Sequence, residues 1–272
     1  MIRKTNLALT CVALALGTLS LSGQTAATTA PTPLPLPEAG PTSSWTFTAC
    51  FCSQYMFRGV RLGGPSFEPK IELALDKLKI GVWANYPISS KVVGQSDPEI
   101  DPYANYTITI NDSTSIVPGF TWYNYPNATP SNGFYRTTFE PNVALNYTVK
   151  NITFTPTLYY DTVLKGPTFE LNASFAVPLK DFGTELDFNA TLATYKWDEA
   201  AENTTPSVEN SGNYWLVGVS VPIPVSKDAK FVVGFAYTAG TNNYYKQGNG
   251  PKVENTAAVG RGVVTVNYVI TF

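Results

Sequence analysis

From Trp45 onward the chain divides into runs in which oily and polar side chains alternate residue by residue. In the last run Gly262, Val264, Val266, Tyr268, Ile270 and Phe272 share one parity, and Val263, Thr265, Asn267, Val269 and Thr271 share the other. Successive strand residues point to opposite sides, so such a run is a strand with one apolar face and one mostly polar face. The same pattern sets Trp45, Phe47, Ala49, Phe51, Tyr55 and Phe57 against Thr46, Thr48, Cys50, Cys52, Gln54 and Arg58. It also sets Phe169, Leu171, Ala173 and Phe175 against Glu170, Asn172 and Ser174. The runs predict strands at 45–57, 66–76, 78–90, 99–110, 114–125, 135–147, 152–160, 168–177, 183–195, 214–221, 229–238 and 260–272, about twelve in all.

The connections carry more information than the strands. Short ones fall at Asp76-Lys77, Asn111-Asp112-Ser113, Lys150-Asn151, Lys180-Asp181-Phe182 and Ser226-Lys227-Asp228. Longer ones at 58–65, 87–98, 126–134, 161–167, 196–213 and 239–259 lie between them. Short and long therefore alternate around the whole chain. Transmembrane barrels do this, with tight turns at one end, long loops at the other and an even strand number. The expected fold is all-β: an antiparallel up-and-down transmembrane barrel. A chain that ends on an apolar-face aromatic also resembles the terminal strand of bacterial outer-membrane barrels. There Tyr268, Ile270 and Phe272 would be the signal read by the barrel-assembly machinery.

The N-terminus agrees with that destination. Arg3 and Lys4 precede an apolar run from Leu7 to Leu21 and then small residues to Ala27, the tripartite form of a secretory signal over residues 1–27. The run is short for a spanning helix, which needs about 20 apolar residues. Residues 28–44 are Thr/Pro-rich and predict an extended periplasmic linker, leaving 45–272 for the barrel. Charged residues make up only 14% of the chain, against 16 Tyr, 15 Phe and 5 Trp. Soluble domains average about 25% charged, whereas a lipid belt with aromatic girdles replaces the charged exterior of a membrane barrel. A formal charge of −2 speaks against nucleic acid as a partner.

The chain has no histidine, which removes the Ser-His-Asp triad and HExxH zinc chemistry. No spacing of carboxylates, Tyr or Lys singles out a catalytic group, so the expectation is a protein that is not an enzyme and has no cofactor. Cys50 and Cys52 share a face but have no histidine or second pair, and read as small lumen-lining side chains rather than a metal site.

The segment SQYMFRG, Ser53 to Gly59, resembles the SDYVFRG signature of the TorF-family porins, also called the Gcw_chp group, with Gln54 in place of the usual acid. The likeness continues in GVWAN (Gly81 to Asn85), EIDPYANY (Glu99 to Tyr106) and YNYP (Tyr123 to Pro126). The resemblance implies an outer-membrane channel for passive diffusion of small polar solutes or ions, seated in outer-membrane lipid. Two other readings stay open: a non-conducting barrel with a structural or adhesive role, and a secreted soluble β-protein that binds carbohydrate.

On the facing pattern, the lumen and selectivity candidates are Arg58, Glu68, Lys70, Glu72, Glu99, Asp101, Arg136, Glu140 and Arg261. Charged rings of this kind sort ions in pores. Arg58 is expected at the outer mouth, either as a selectivity charge or paired with Glu68, Glu99 or Asp101.

Overall fold

Alternation along the chain becomes the inside and outside of a closed sheet. The structure, a computed structural model, describes residues 43–89, 98–128, 136–197, 211–240 and 260–272. The expected signal and nearly all of the linker lie outside those residues. The chain forms β1 (Ser43–Cys52), β2 (Tyr55–Phe57), β3 (Val60–Gly63), β4 (Ser66–Leu75), β5 (Leu78–Pro87), β6 (Glu99–Tyr106), β7 (Ile108–Asn111) and β8 (Thr114–Asn124). It continues through β9 (Thr137–Val149), β10 (Ile152–Asp161), β11 (Gly166–Leu179), β12 (Thr184–Lys196), β13 (Ser211–Pro224), β14 (Ala229–Gly240) and β15 (Arg261–Thr271).

Every wall strand pairs antiparallel with its chain neighbour, and β15 returns to β1 with Phe47 opposite Ile270. β6 and β7 are two halves of one stave, broken at Thr107, and both pair with β8. The result is a closed barrel of twelve staves. Closure leaves no edge, which is what lipid demands of a sheet. The seam is fastened at its end by Trp45 and Phe272, whose backbone groups exchange bonds of 2.7 and 2.9 Å.

All five expected short turns are present. Asp76 and Lys150 take positive φ in two-residue connections, and a 3-10 turn at Lys180–Phe182 ends on Gly183 at φ 62°. Tight turns with left-handed residues match the twist of paired strands. One connection expected to be long is compact: Asp161 Oδ1 accepts from the backbone N–H groups of Val163 and Leu164, both at 2.8 Å, and so closes the β10–β11 link.

The apolar parity points outward. Phe47, Phe51, Ile71, Val82, Trp122, Phe169, Leu171, Trp215, Phe235, Val264 and Val266 are all exposed, while Thr155, Thr157, Ser174, Asp187, Ser220 and Thr265 on the opposite parity are buried. A soluble sandwich is built the other way round. Soluble monomers rarely expose contiguous apolar patches beyond a few hundred Å², so an oily belt around the whole wall identifies a membrane barrel and removes the soluble reading.

The first strand departs from expectation. The run at 45–57 is not one stave: β1 stops at Cys52, and Tyr55 and Phe57, expected on the lipid face, are buried. Cys52 pairs directly with Ser66, so the wall closes without the intervening segment. That segment turns into the lumen.

Candidate functional site: a hairpin in the barrel mouth

Residues Ser53 to Pro65 leave the wall at the long-loop end and fold inward as the hairpin β2–β3. Ser53 fixes the departure point: its N–H donates to the Val264 carbonyl at 2.9 Å, and its hydroxyl accepts from the Val264 N–H at 2.9 Å. The turn is Arg58-Gly59, with φ of 47° and 80°. Two successive positive φ values are what a type I′ hairpin requires. Gly59 has a second reason to be glycine, since a Cβ there would lie 2.8 Å from the backbone of Ala239 and Gly240 on β14.

Burial drives the inward fold. Tyr55, Phe57, Val60 and Leu62 form an apolar cluster with Trp83 of β5 and Tyr123 of β8. The Tyr55 and Trp83 ring centroids lie 6.0 Å apart, and Phe57 meets Tyr123 edge-on, also at 6.0 Å. Met56, on the opposite side of the hairpin, packs against Ala236 of β14 and Val263 of β15. One short hairpin therefore touches walls on both sides of the lumen.

Polar locks finish the docking. The Arg58 guanidinium donates to both carboxylate oxygens of Glu140 on β9, at 2.9 and 3.0 Å. Its carbon lies 4.8 Å from the Phe57 ring centre and 5.4 Å from that of Tyr159. Burial works against the Arg58 charge, but the adjacent Glu140 prevails and holds the guanidinium protonated well beyond its ordinary range. Tyr123 also donates to Glu140, at 3.3 Å. Tyr55 donates to Glu99 at 2.5 Å and Tyr125 donates to the same carboxylate at 2.8 Å. Burial, reinforced by Glu99, raises the Tyr55 phenol far above its usual range, so it stays a donor. Arg61 donates to Gln54 across the hairpin base at 2.5 Å.

The residues expected in the lumen divide into three groups. Arg58, Glu99 and Glu140 belong to the hairpin lock, and Asp101, beside Glu99, accepts the Asn124 backbone N–H at 3.1 Å. Arg58 was expected at the rim with Glu68, Glu99 or Asp101; its partner is Glu140, because the hairpin carries it inward across the mouth. Glu68, Lys70 and Glu72 line one face of β4, where Glu72 accepts from Tyr103 at 2.7 Å and meets Lys79 at 3.6 Å. Arg136 and Arg261 stand at the long-loop end, both exposed, with Arg136 donating to the Ala128 carbonyl at 3.2 Å.

Tyrosine counts among the residue types expected to line the lumen, but the sequence singles out none of those in the lock. Tyr55, Tyr123 and Tyr125 hold the lock, while Tyr159 and Tyr214 both donate to Glu170. No local signal marks the hairpin: Tyr55-Met56-Phe57 is a run of three bulky apolar residues, but Trp215-Leu216-Val217 in β13 and Phe231-Val232-Val233 in β14 are such runs within ordinary staves.

Toward the short-turn end the lumen becomes a polar lattice. Asn146 donates to Ser115 at 3.2 Å and accepts from Thr155 at 3.0 Å, and Asn172 donates to Thr191 at 3.0 Å.

Solved structures share this architecture. The KdgM porin in complex with disordered oligogalacturonate superposes with a TM-score of 0.52 at 12% identity, covering 84% of this chain and 99% of that one. The NanC porin gives 0.51 at 10% identity, covering 83% and 98%. At such identities the likeness is one of fold. A comparison with the curated proteins gives no match. The model of a family described as bacterial protein of unknown function (Gcw_chp) matches residues 38–266, so the chain belongs to the Gcw_chp family.

Proposed function

We propose that this chain is a porin-like channel of the bacterial outer membrane that passes small polar solutes or ions through a lumen narrowed by its own hairpin, as the TorF-type resemblance suggests. The observation that carries the reading is the inside-out barrel: an apolar exterior around an interior of Thr, Asn, Tyr and paired charges. Twelve staves enclose more space than a packed eight-stranded barrel and less than an open 16–18-stranded porin. The β2–β3 hairpin narrows that space further. The packed aromatic cluster around the hairpin favours a second reading, in which the barrel is shut at rest and serves the envelope as a structural element. Single-channel recording of the purified barrel in planar bilayers separates the two: discrete conductance steps support the channel, and their absence at all voltages supports the closed barrel.

With Arg58, Glu99 and Glu140 engaged in the lock, ion sorting falls to partly buried charges such as Lys70, Glu72 and Lys79. Glu72→Gln keeps the shape that accepts the Tyr103 hydrogen bond and removes one charge. Its reversal potential in a salt gradient should move toward anions, because charges on low-dielectric walls act strongly on permeating ions. An unmoved reversal potential would assign Glu72 to wall stiffening alone.

For assembly, Phe272 and Phe235 make an informative pair. Both rings face outward, 70% and 51% exposed, so truncating either removes similar lipid contact. Phe272→Ala should nevertheless lower the amount of assembled barrel in cells well below Phe235→Ala, since only the terminal ring is offered to the barrel-assembly machinery. Equal levels of heat-modifiable protein in the outer membrane would refute that role.

A further inference from the structure

On the lumen face of β1, Cys50 and Cys52 stand two residues apart, and the register of β1 on β4 places Glu68 opposite Cys50. The two sulfurs and a Glu68 carboxylate oxygen all lie within 4.8 Å of one another. We propose that Cys50, Cys52 and Glu68 form a binding site for a thiophilic divalent cation of the zinc class, built into the barrel wall beside the base of the hairpin.

Three observations converge. The donor set is two thiols and one carboxylate, the S and O ligands that zinc accepts. Sequence alone offered two sulfurs and no third ligand; strand pairing supplies it. The carboxylate is also oriented as a ligand would need. Glu68 Oε1 accepts from the Ser66 hydroxyl at 2.7 Å and from the Asn85 amide at 3.2 Å. Glu68 Oε2 has no nitrogen or oxygen donor although the residue is only 2% exposed, and the Cys52 thiol is the donor beside this carboxylate. A buried carboxylate oxygen served only by a weak thiol donor is under-satisfied, and a cation that replaces the thiol proton satisfies it. Hydrogen bonds that fix the far oxygen of a ligating carboxylate are the usual outer support of a metal site.

The geometry needs only a small adjustment. The sulfurs are 2.7 Å apart, in contact with each other. Two sulfurs each about 2.3 Å from a tetrahedral ion stand roughly 3.8 Å apart, so the pair opens by about 1 Å through side-chain rotation. Binding converts both thiols to thiolates and releases their two protons to water. The resulting unit of one cation, two thiolates and one carboxylate carries a single negative charge, and Lys70 lies two residues further along the same face of β4. Water completes the coordination from the lumen.

Cadmium is the probe, because its bond to thiolate gives an ultraviolet charge-transfer band that reports sulfur ligation directly. The reduced, folded barrel in detergent should take up one cadmium ion with growth of that band, and zinc should displace it. Cys50→Ser and Cys52→Ser should each abolish the band. Ser66→Ala, which touches only the outer support, should weaken affinity about tenfold or more. Heat-modifiable migration checks that each variant is folded, and the wild-type band stands by itself if a variant fails that check. Absence of the band in the wild type, a band that survives loss of either cysteine, or thiols that titrate as an internal disulfide would each overturn the site.

Discussion

A barrel in which Ser53–Pro65 is replaced by a short Gly/Asn turn should stay folded and conduct several-fold more current than the natural protein. The wall supports this surgery because Cys52 and Ser66 are already paired, and hairpin connections of about 2–5 residues are ordinary. The excision removes Tyr55, Phe57, Val60 and Leu62 from their packing against Trp83 and Tyr123, and Met56 from its seat on Ala236 and Val263. It also avoids the usual penalty of a buried charge left without its partner. Glu140 and Glu99 lose Arg58 and Tyr55 together with the cluster that kept water from them, so both carboxylates rehydrate. The apolar exterior is untouched, and the β1–β15 pairing from Thr46 to Cys52 remains; the seam loses only the Ser53–Val264 bonds at its mouth end. Conductance equal to the natural barrel, in protein that migrates as folded, would place the narrowest point elsewhere in the lumen. No conductance in either protein would favour the purely structural barrel.

The wall was readable from the sequence because lipid and lumen impose a period of two on every stave. Phe169 and Leu171 against Glu170 and Asn172 leave no other assignment, and the turn residues at Asp76 and Lys150 mark where the period resets. Boundaries slipped where that pressure fades. β13 begins at Ser211 rather than 214, since Ser211, Gly212 and Asn213 pair with β12 without an apolar face to announce them. The hairpin was not readable for a different reason. Tyr55 and Phe57 continue the parity of Phe51, so counting by twos carries the strand straight through the bend. Nor can spacing identify the partner of Arg58, which lies 82 positions away in Glu140. Only barrel closure brings β9 opposite the hairpin tip, and closure is a property of the whole sheet. The third ligand to the cysteine pair is hidden in the same way, because it depends on the register of β1 against β4.

Cutting the Arg58–Glu140 bond should loosen the hairpin without harming the barrel, and the two residues should be strongly non-additive. Both side chains are almost wholly buried, 2% and 0% exposed. Removing one partner of such a buried pair takes from the other charge its bidentate contact, at a cost of about 3–5 kcal/mol. Glu140→Gln is the cleaner single change because it keeps the volume beside Tyr123. At Arg58 the backbone sits at φ 47°, so Arg58→Asn is preferred to alanine: asparagine tolerates the left-handed region. If hairpin docking closes the channel, either single variant should shift the closed-to-open ratio by roughly 10²–10⁴-fold, seen as flicker or sustained opening in single-channel records. In the double variant neither charge of the pair remains. It should therefore lie closer to the natural protein than the sum of the single changes, with a coupling energy that a double-mutant cycle measures directly. The effect should persist at high salt, since buried pairs are screened far less than exposed ones; a rim charge such as Arg261 should behave oppositely. Additive single changes, or singles with natural gating in folded barrels, would mean that the aromatic cluster alone holds the hairpin and that the ion pair contributes only its orientation.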